Sequence, residues 1–388
     1  MKNLAETANR LYYIDWLRVL AMITIFFFHS SRIFDDYGWH IKNAATSIIA
    51  NIWVDFCNPW LMPLFFILAG ASVFYAFKSR TVGGFAKERT LRVLVPLVTV
   101  GWFIIAPPQI YLERLSNGQF SGSFFQFFPG NYFNGIYGLE ETGNFGLVPL
   151  HMWFLWLLFI YSLILIPLFL PRKETGASLF SRFATLFEKP WTLIVPVLLI
   201  IGLEISLDSF GDMLSWGGGW NHLSYLVFFI SGYLMFSNVK IQGNINKYAF
   251  TSLIMYLILQ TLHYLFSYGV IKLELGDAGS IVYWVVVTLR SWFALIAILG
   301  FASKYLNFSN RFLGYANETV LPFYILHQTV IVVIGYSVIQ SGMGIGPKYL
   351  ITMASSLAAI MIIYELLIRR INILRFLFGM RWKKKQTG

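Results

Sequence analysis

The chain has 388 residues, of which 57% are hydrophobic and 18% aromatic but only 12% charged. Soluble domains carry about 25% charged residues, so this composition, with a mean hydropathy of +0.65, excludes an ordinary soluble domain and describes a multi-spanning membrane protein. The formal net charge of +11 opens a nucleic-acid reading that its distribution removes, and the single cysteine, Cys57, excludes an internal disulfide and a cysteine-based metal cluster.

In chain order, ten segments approach the roughly 20 apolar residues that a bilayer-crossing helix needs. They lie at about 14–34, 57–77, 92–112, 150–170, 191–207, 222–239, 248–268, 280–303, 317–339 and 349–368. The segment 46–56 reads as an apolar lead-in to the second span. The N-terminus has no short apolar stretch followed by a small-residue cleavage site, so the first span is expected to be retained. With both termini inside, 22 of the 29 Lys and Arg residues fall in inside segments. Lys42, Arg114, Lys272 and Lys348 lie outside, and Arg18, Arg32 and Arg290 lie within spans. The positive-inside rule therefore places both termini in the cytoplasm. The expected fold class is an all-α integral membrane bundle of about ten transmembrane helices, a single domain over 1–388. Its expected location is a bacterial cytoplasmic membrane. Nucleic acid drops out as a partner.

The longest outside segment, about 113–149, mixes aromatic residues with Gly, Asn and Gln from Gly118 to Phe133. That mixture serves carbohydrate contact or an aromatic belt at the lipid headgroups equally well. No internal repeat is visible, which argues against a transporter built from two related halves.

The first span carries the costliest residues. A charge at the bilayer centre costs at least roughly 2.5–3.5 kcal/mol on insertion scales. Asp15, Arg18, Met22, Ile25, His29 and Arg32 nevertheless follow alternating three- and four-residue steps, which puts them on one helical face. Arg18 and His29, eleven residues apart, are separated by about 16 Å of helical rise. Arg18 also fits snorkelling or a pair with Asp15, and His29 also fits a hydrogen-bonded packing role. Histidine titrates near neutrality, as a proton-transfer group must. Asp55 is expected near the level of His29, with Arg290 and His327 near the middle of their spans and Glu365 level with Arg18. Depth alone makes Asp55 a partner for His29 and Glu365 a partner for Arg18. His151, His222 and His263 lie near outer span ends, and His222 and His263 read as ordinary interfacial residues. No two histidines or carboxylates have close metal-ligand spacing, so no metal is expected.

The loop after the second span contributes Lys78, Arg80, Lys87, Arg89 and Arg92, a basic mouth on the cytoplasmic side. Arginine forks suit phosphate, and the same charges also serve topology and anionic lipid.

These residues resemble a known family. Arg18-x10-His29 on the first span is similar to the acyltransferase-3 family of integral membrane acyltransferases, and most similar to the branch that adds succinyl groups to osmoregulated periplasmic glucans. The resemblance runs nearly end to end. It takes in Asp15-Trp-Leu-Arg18, Trp39-His40, Pro63-Leu-Phe-Phe-Ile-Leu-Ala-Gly70 and Arg89-Thr-Leu-Arg92-Val-Leu-Val-Pro96. It continues through His151-Met-Trp-Phe-Leu155, Phe228-Phe-Ile-Ser-Gly232, Phe323-Tyr-Ile-Leu-His327, Tyr364-Glu365 and Arg375-Phe-Leu-Phe-Gly379. One departure is Gln328, where the glucan branch often has a second histidine. The resemblance implies transfer of an acyl group from cytoplasmic acyl-CoA to a hydroxyl on the far side. It also implies a catalytic His29 and a functional Arg18.

Together these readings make acyl-CoA (acetyl-CoA or succinyl-CoA) the co-substrate and an extracytoplasmic carbohydrate the acceptor, within a lipid bilayer. His29, Arg18, Asp55 and His327 are the catalytic candidates. Arg89, Arg92, Arg18, Trp153 and Arg290 are the candidates for holding the donor, with Arg290, His327 or Trp153 also able to stabilise an oxyanion. His29 would act as general base, and an acyl-histidine intermediate is chemically open. A proton-coupled transporter using His29, Asp55, Arg290 and His327 is the rival reading, and a structural or sensor membrane protein is the third. Oligomerisation is left open.

Overall fold

The structure is a computed structural model, and it describes residues 11–137, 143–170, 178–207, 210, 214–271 and 278–383. Lys2, Arg10, Arg172, Lys173, Lys272, Lys384 and Lys385, all counted in the charge pattern, lie outside the described residues, as does 138–142 of the long aromatic segment.

Apolar sequence of this kind must satisfy its backbone internally, and helices do so segment by segment. The principal helices are α1 (Tyr12–Ser31), α2 (Ile48–Cys57), α3 (Leu61–Phe77), α4 (Val82–Ser116), α5 (Leu150–Ile164), α6 (Pro190–Leu207), α7 (His222–Ser237), α8 (Val239–Ser267), α9 (Ala278–Tyr305), α10 (Arg311–Ile339), α11 (Ile345–Ile368) and α12 (Asn372–Leu377). No β-strand occurs among the described residues; Ile136 and Phe145 form one isolated bridge. Each of the ten expected segments is helical. Among the described residues, eight spans are long and apolar enough to cross a membrane, with α2 and α3 together making one of them, whereas α5 and α7 are shorter. Two boundaries differ from expectation. Helix α1 stops at Ser31, short of the expected end at 34, with the Arg32 amide still donating to the Phe28 carbonyl at 3.2 Å. The lead-in to the second span is itself helical, and the break falls at 58–60 around Pro59, whose ring cannot donate a backbone hydrogen bond.

The chain forms two compact units that alternate along the sequence. Unit one takes the chain through Ala21, then Phe56–Phe85 and Tyr161–Asn317. Its packing turns on small residues. A Cβ on Gly70 of α3 would sit 2.0 Å from the Phe229 carbonyl oxygen, and one on Gly232 of α7 would sit 2.1 Å from that of Ile67. The two glycines thus let α3 and α7 cross with their backbones in contact, the arrangement that drives helix association where lipid offers no hydrophobic gain. Gly300 does the same for α9 against Ala249 of α8. Aromatic side chains fill the remaining space, among them Trp220, Tyr225, Phe228 and Phe229, all essentially inaccessible.

Unit two takes Met22–Asp55, Ala86–Ile160 and the chain from Glu318 onward. Helix α4 widens into underwound π-type turns at Thr90–Leu94 and Leu97–Ile105, on either side of Pro96. Such bulges are frequent at functional sites. The C-terminal segment is clamped to α4: Arg92 Nε donates to the Gly379 carbonyl at 2.9 Å, and Gly379 has φ +71°. A Cβ at Gly379 would lie 2.5 Å from the Arg92 carbonyl oxygen, so both the backbone conformation and the approach require glycine. Arg375, nearly buried, pairs with Glu318 of α10 at 2.9 Å.

Candidate active site

The polar centre of unit two is assembled from three sequence-distant segments. His29 lies in the last turn of α1, His151 in the first turn of α5 and His327 in α10. Their rings meet: His29 and His327 have centroids 5.0 Å apart, His151 and His327 5.0 Å, and His29 and His151 6.4 Å. The exposures are 9%, 7% and 0% for His29, His151 and His327, so the cluster is almost dry.

Local structure explains how each ring is held. Leu150, just before His151, has φ +46°, a left-handed conformation that costs a non-glycine residue of order 1–3 kcal/mol and persists where the surroundings impose it. This strained corner opens α5 and turns His151 onto α10. There the Tyr324 carbonyl accepts from His151 Nε2 at 3.1 Å and from His327 Nδ1 at 2.6 Å. The Tyr324 hydroxyl in turn donates to the His151 carbonyl. His327 also stacks on Phe323, with an interplanar angle of 9°, and Phe323 meets Phe26 edge-on. His29 is flanked by the edge of Trp39 at 6.0 Å.

The hydrogen bonds settle two protonation patterns. A carbonyl only accepts, so His151 carries its proton on Nε2 and His327 on Nδ1. Their other nitrogens, His151 Nδ1 and His327 Nε2, are therefore acceptors when the rings are neutral. Both are buried without a hydrogen-bond partner, and so is His29 Nδ1. Buried polar atoms are usually paired, and three ring nitrogens of this cluster are not.

A second network lies in the same unit. His40 Nδ1 pairs closely with the Glu113 carboxylate at the end of α4, which also accepts from the Tyr137 hydroxyl at 3.0 Å. The Gln328 amide nitrogen lies 3.0 Å from His40 Nε2 and donates to Gln109 Oε1 at 2.9 Å. Gln109 Nε2 donates to Thr329 Oγ1 at 2.6 Å. Gln328, the departure from the glucan branch, therefore fixes the His40 tautomer: Nε2 accepts and Nδ1 donates to Glu113.

The other sequence candidates separate. Asp55 accepts from the Tyr37 hydroxyl at 2.7 Å. Arg32 leaves α1 to pair with Asp35 at 2.7 Å and to reach the Gly38 carbonyl. Lys42 also pairs with Asp35 at 2.7 Å. Burial raises the Asp35 carboxyl above its ordinary value, against the pull of Lys42 and Arg32, and lowers the Lys42 ammonium. Trp153 is buried two residues after His151. Arg92 has one edge on Gly379 and Glu88 at 3.3 Å on another, while its side chain stays 44% exposed. Arg89 ends the first turns of α4. Arg18 and Arg290 belong to unit one. Arg18 pairs with Asp15 at 3.1 Å, as their three-residue spacing allows, and also bonds Ser72. Glu365 pairs with Arg369 at 3.0 Å. Arg290 is 4% exposed within α9. His222 contacts Trp216 and His263 lies near Ser267. Among the described residues, no group of three His, Cys, Asp or Glu side chains has the arrangement to hold a metal ion.

His40 and His151 enter the sequence reading only through the Trp39-His40 and His151-Met-Trp-Phe-Leu155 stretches of the family resemblance, and Glu113 and Gln109 were missed. The usable signals were the Trp39-His40 pair and the carboxylate of Glu113 at the end of an apolar helix.

Comparison with known proteins gives a family. The acyltransferase-3 sequence profile, described as an acyltransferase domain, matches residues 11–365. Glucans biosynthesis protein C of Escherichia coli (strain K12) is 26% identical over 162 residues, covering 42% of this chain and 40% of that protein. The same protein from Escherichia coli strain SMS-3-5 / SECEC and from Escherichia coli O1:K1 / APEC aligns with the same identity and coverage. The aligned stretch therefore spans well under half the length of these relatives. No solved structure matches the chain.

Proposed function

The chain belongs to the acyltransferase-3 family and is a multi-pass membrane protein, and on that premise we propose that it is an O-acyltransferase in which His29 is the general base. The donor is cytoplasmic acetyl-CoA or succinyl-CoA. The acceptor is a hydroxyl of an extracytoplasmic glycan, with a glucan favoured by the name of the aligned relatives. The membrane is the bacterial cytoplasmic membrane, with both termini on its inner side, as the Lys and Arg asymmetry supports. The observation that carries the reading is the buried histidine cluster, with His29 in contact with His327, inside a chain of acyltransferase family.

In the reaction, a His29 nitrogen takes the acceptor O–H proton as the oxygen attacks the thioester carbon. The C–O bond forms, the C–S bond breaks, and the proton passes from the imidazolium to the departing CoA thiolate. No net proton is consumed. A positioned base of this kind contributes typically 10²–10⁴-fold. The almost dry surroundings strengthen every electrostatic interaction with the developing charge. Arg89 and Arg92 are the proposed partners of the CoA phosphates, since guanidinium forks match phosphate geometry; the exposed face of Arg92 leaves its fork accessible. Trp153, adjacent in sequence to the cluster, is proposed to line the donor path. Arg18 and Arg290 are proposed donor-binding residues from the sequence pattern. Asp55, through Tyr37, is proposed to order the loop that carries Trp39. His327, which in its neutral tautomer offers an acceptor, fits hydroxyl binding better than oxyanion stabilisation.

The test uses the full-length protein in lipid nanodiscs with labelled acetyl-CoA or succinyl-CoA and a glucan acceptor. Labelled ester on the acceptor with stoichiometric CoA release is expected. Absence of both with either donor, while proteoliposomes take up a solute in a His29-dependent way, would replace the reading with a transporter.

A further inference from the structure

The three imidazoles make a more specific demand than a base alone. His151 and His327 both spend their N–H on one carbonyl, that of Tyr324. Each therefore presents a lone pair, on Nδ1 and Nε2 respectively, and both atoms are buried without a donor. An imidazole–imidazole hydrogen bond does not relieve this, because the orphaned nitrogens are not partnered with one another and two fixed acceptors repel rather than pair. The third nitrogen, His29 Nδ1, is orphaned beside them. A single alcohol brings one proton and can satisfy one acceptor. Two fixed acceptors beside a base are satisfied together by any molecule that brings at least two donors within a few ångströms of each other, as a water does and as a polyol that displaces it does.

We propose that His151 and His327 form a subsite for a second hydroxyl of the acceptor, next to the hydroxyl that His29 deprotonates, so that the site selects a polyol with neighbouring hydroxyls over an isolated alcohol. The inference rests on the acyl-transfer reading for which hydroxyl reacts, but its binding content stands without it. The second hydroxyl donates to His327 Nε2 or His151 Nδ1 and stays unreacted. That anchoring fixes the sugar ring and so selects which hydroxyl faces His29. The Tyr324 carbonyl is the positioning group: it holds both rings in the accepting tautomer, and α5 and α10 fix the spacing. Protonating either ring would remove the acceptor, so the subsite is a property of the neutral cluster.

Polar sites reject analogues that lack a hydroxyl because the buried partner is left unpaired. The probes are methyl β-glucopyranoside and its 2-, 3-, 4- and 6-deoxy analogues, each titrated into the full-length protein in nanodiscs and each offered as acceptor with acetyl-CoA or succinyl-CoA. At least one deoxy analogue is expected to bind roughly tenfold or more weakly than the parent. It should lose at least as much in kcat/KM. In His327→Phe and His151→Phe, which keep ring volume and stacking but lack the acceptor nitrogen, that discrimination should shrink to within about threefold in one variant or both. His327→Asn, whose side-chain oxygen can accept, should restore part of it. Equal binding of all four analogues by the unaltered protein, no binding of the parent, or discrimination unchanged in both phenylalanine variants overturns the proposal. Retained discrimination in binding without any acyl transfer would overturn the catalytic reading and leave this subsite standing.

Discussion

The α3–α7 crossing of unit one and the histidine cluster of unit two are both buried, yet they are built on opposite principles. At the crossing, Gly70 and Gly232 remove side chains so that backbone meets backbone. At the cluster, bulky polar rings are brought together and three of their nitrogens are left unsatisfied. An orphaned buried polar atom costs about 1–3 kcal/mol. Orphaned side-chain atoms also occur in unit one, at Gln260 and Ser291 among others, so what sets the cluster apart is three imidazoles in mutual contact. The contrast separates residues that make the fold from residues that use it.

Substitutions at the crossing should sharpen that separation most. Gly232→Val places branched carbon where Ile67 backbone already lies, and overpacking of this kind costs typically 1–3 kcal/mol, with more expected for a backbone clash. Folded yield and Tm in detergent should fall steeply, while activity per folded molecule stays near that of the parent. Unchanged Tm would remove the crossing from the account. Gly379→Ala, which adds strain at φ +71° and meets the Arg92 carbonyl, should lower stability by about 1–3 kcal/mol on the same grounds, read as a loss of thermal stability with a smaller loss of yield.

Changes in the His40 network should do the reverse. Glu113→Gln keeps the volume and a hydrogen bond to Tyr137 but removes the carboxylate that faces His40 Nδ1. Transfer activity is expected to fall about tenfold with Tm nearly constant. A large drop in Tm with full activity would assign this network to the fold instead. Thr329→Val is the mildest probe. It deletes the hydroxyl that accepts from Gln109 and donates to the Ile105 carbonyl at 3.1 Å, and should cost about 1 kcal/mol of stability.

Much of this architecture was legible in the sequence because lipid leaves few solutions: apolar runs of the right length had to be helices. The pairing of Arg18 with Asp15 followed from helical spacing alone. The cluster was only half legible. Sequence gives the depth of His29 and His327 but not the rotation of one helix about another, so their contact could be placed at a similar level and no more. His151 was obscured by the strained Leu150 corner, which turns a span-end residue inward. Glu113 was not singled out, because its partners His40 and Tyr137 are distant in sequence. Depth paired Asp55 with His29 by level, and the fold adds a bond that depth does not give, from the Tyr37 hydroxyl of the loop after α1 to Asp55. Beyond the end of α1 at Ser31, the Arg32 guanidinium is held by the Asp35 carboxylate and the Gly38 carbonyl, partners in the following loop that helical spacing does not reveal.

The central claim, that the histidine cluster performs acyl transfer with His29 as base, is tested most directly by His29→Ala in the full-length protein in nanodiscs. Acyl-CoA affinity and ester formation on the acceptor are measured on the same samples. The account predicts acyl-CoA binding within about threefold of the parent and ester formation reduced about 100-fold or more. Ester formation at the parental rate in His29→Ala would contradict it.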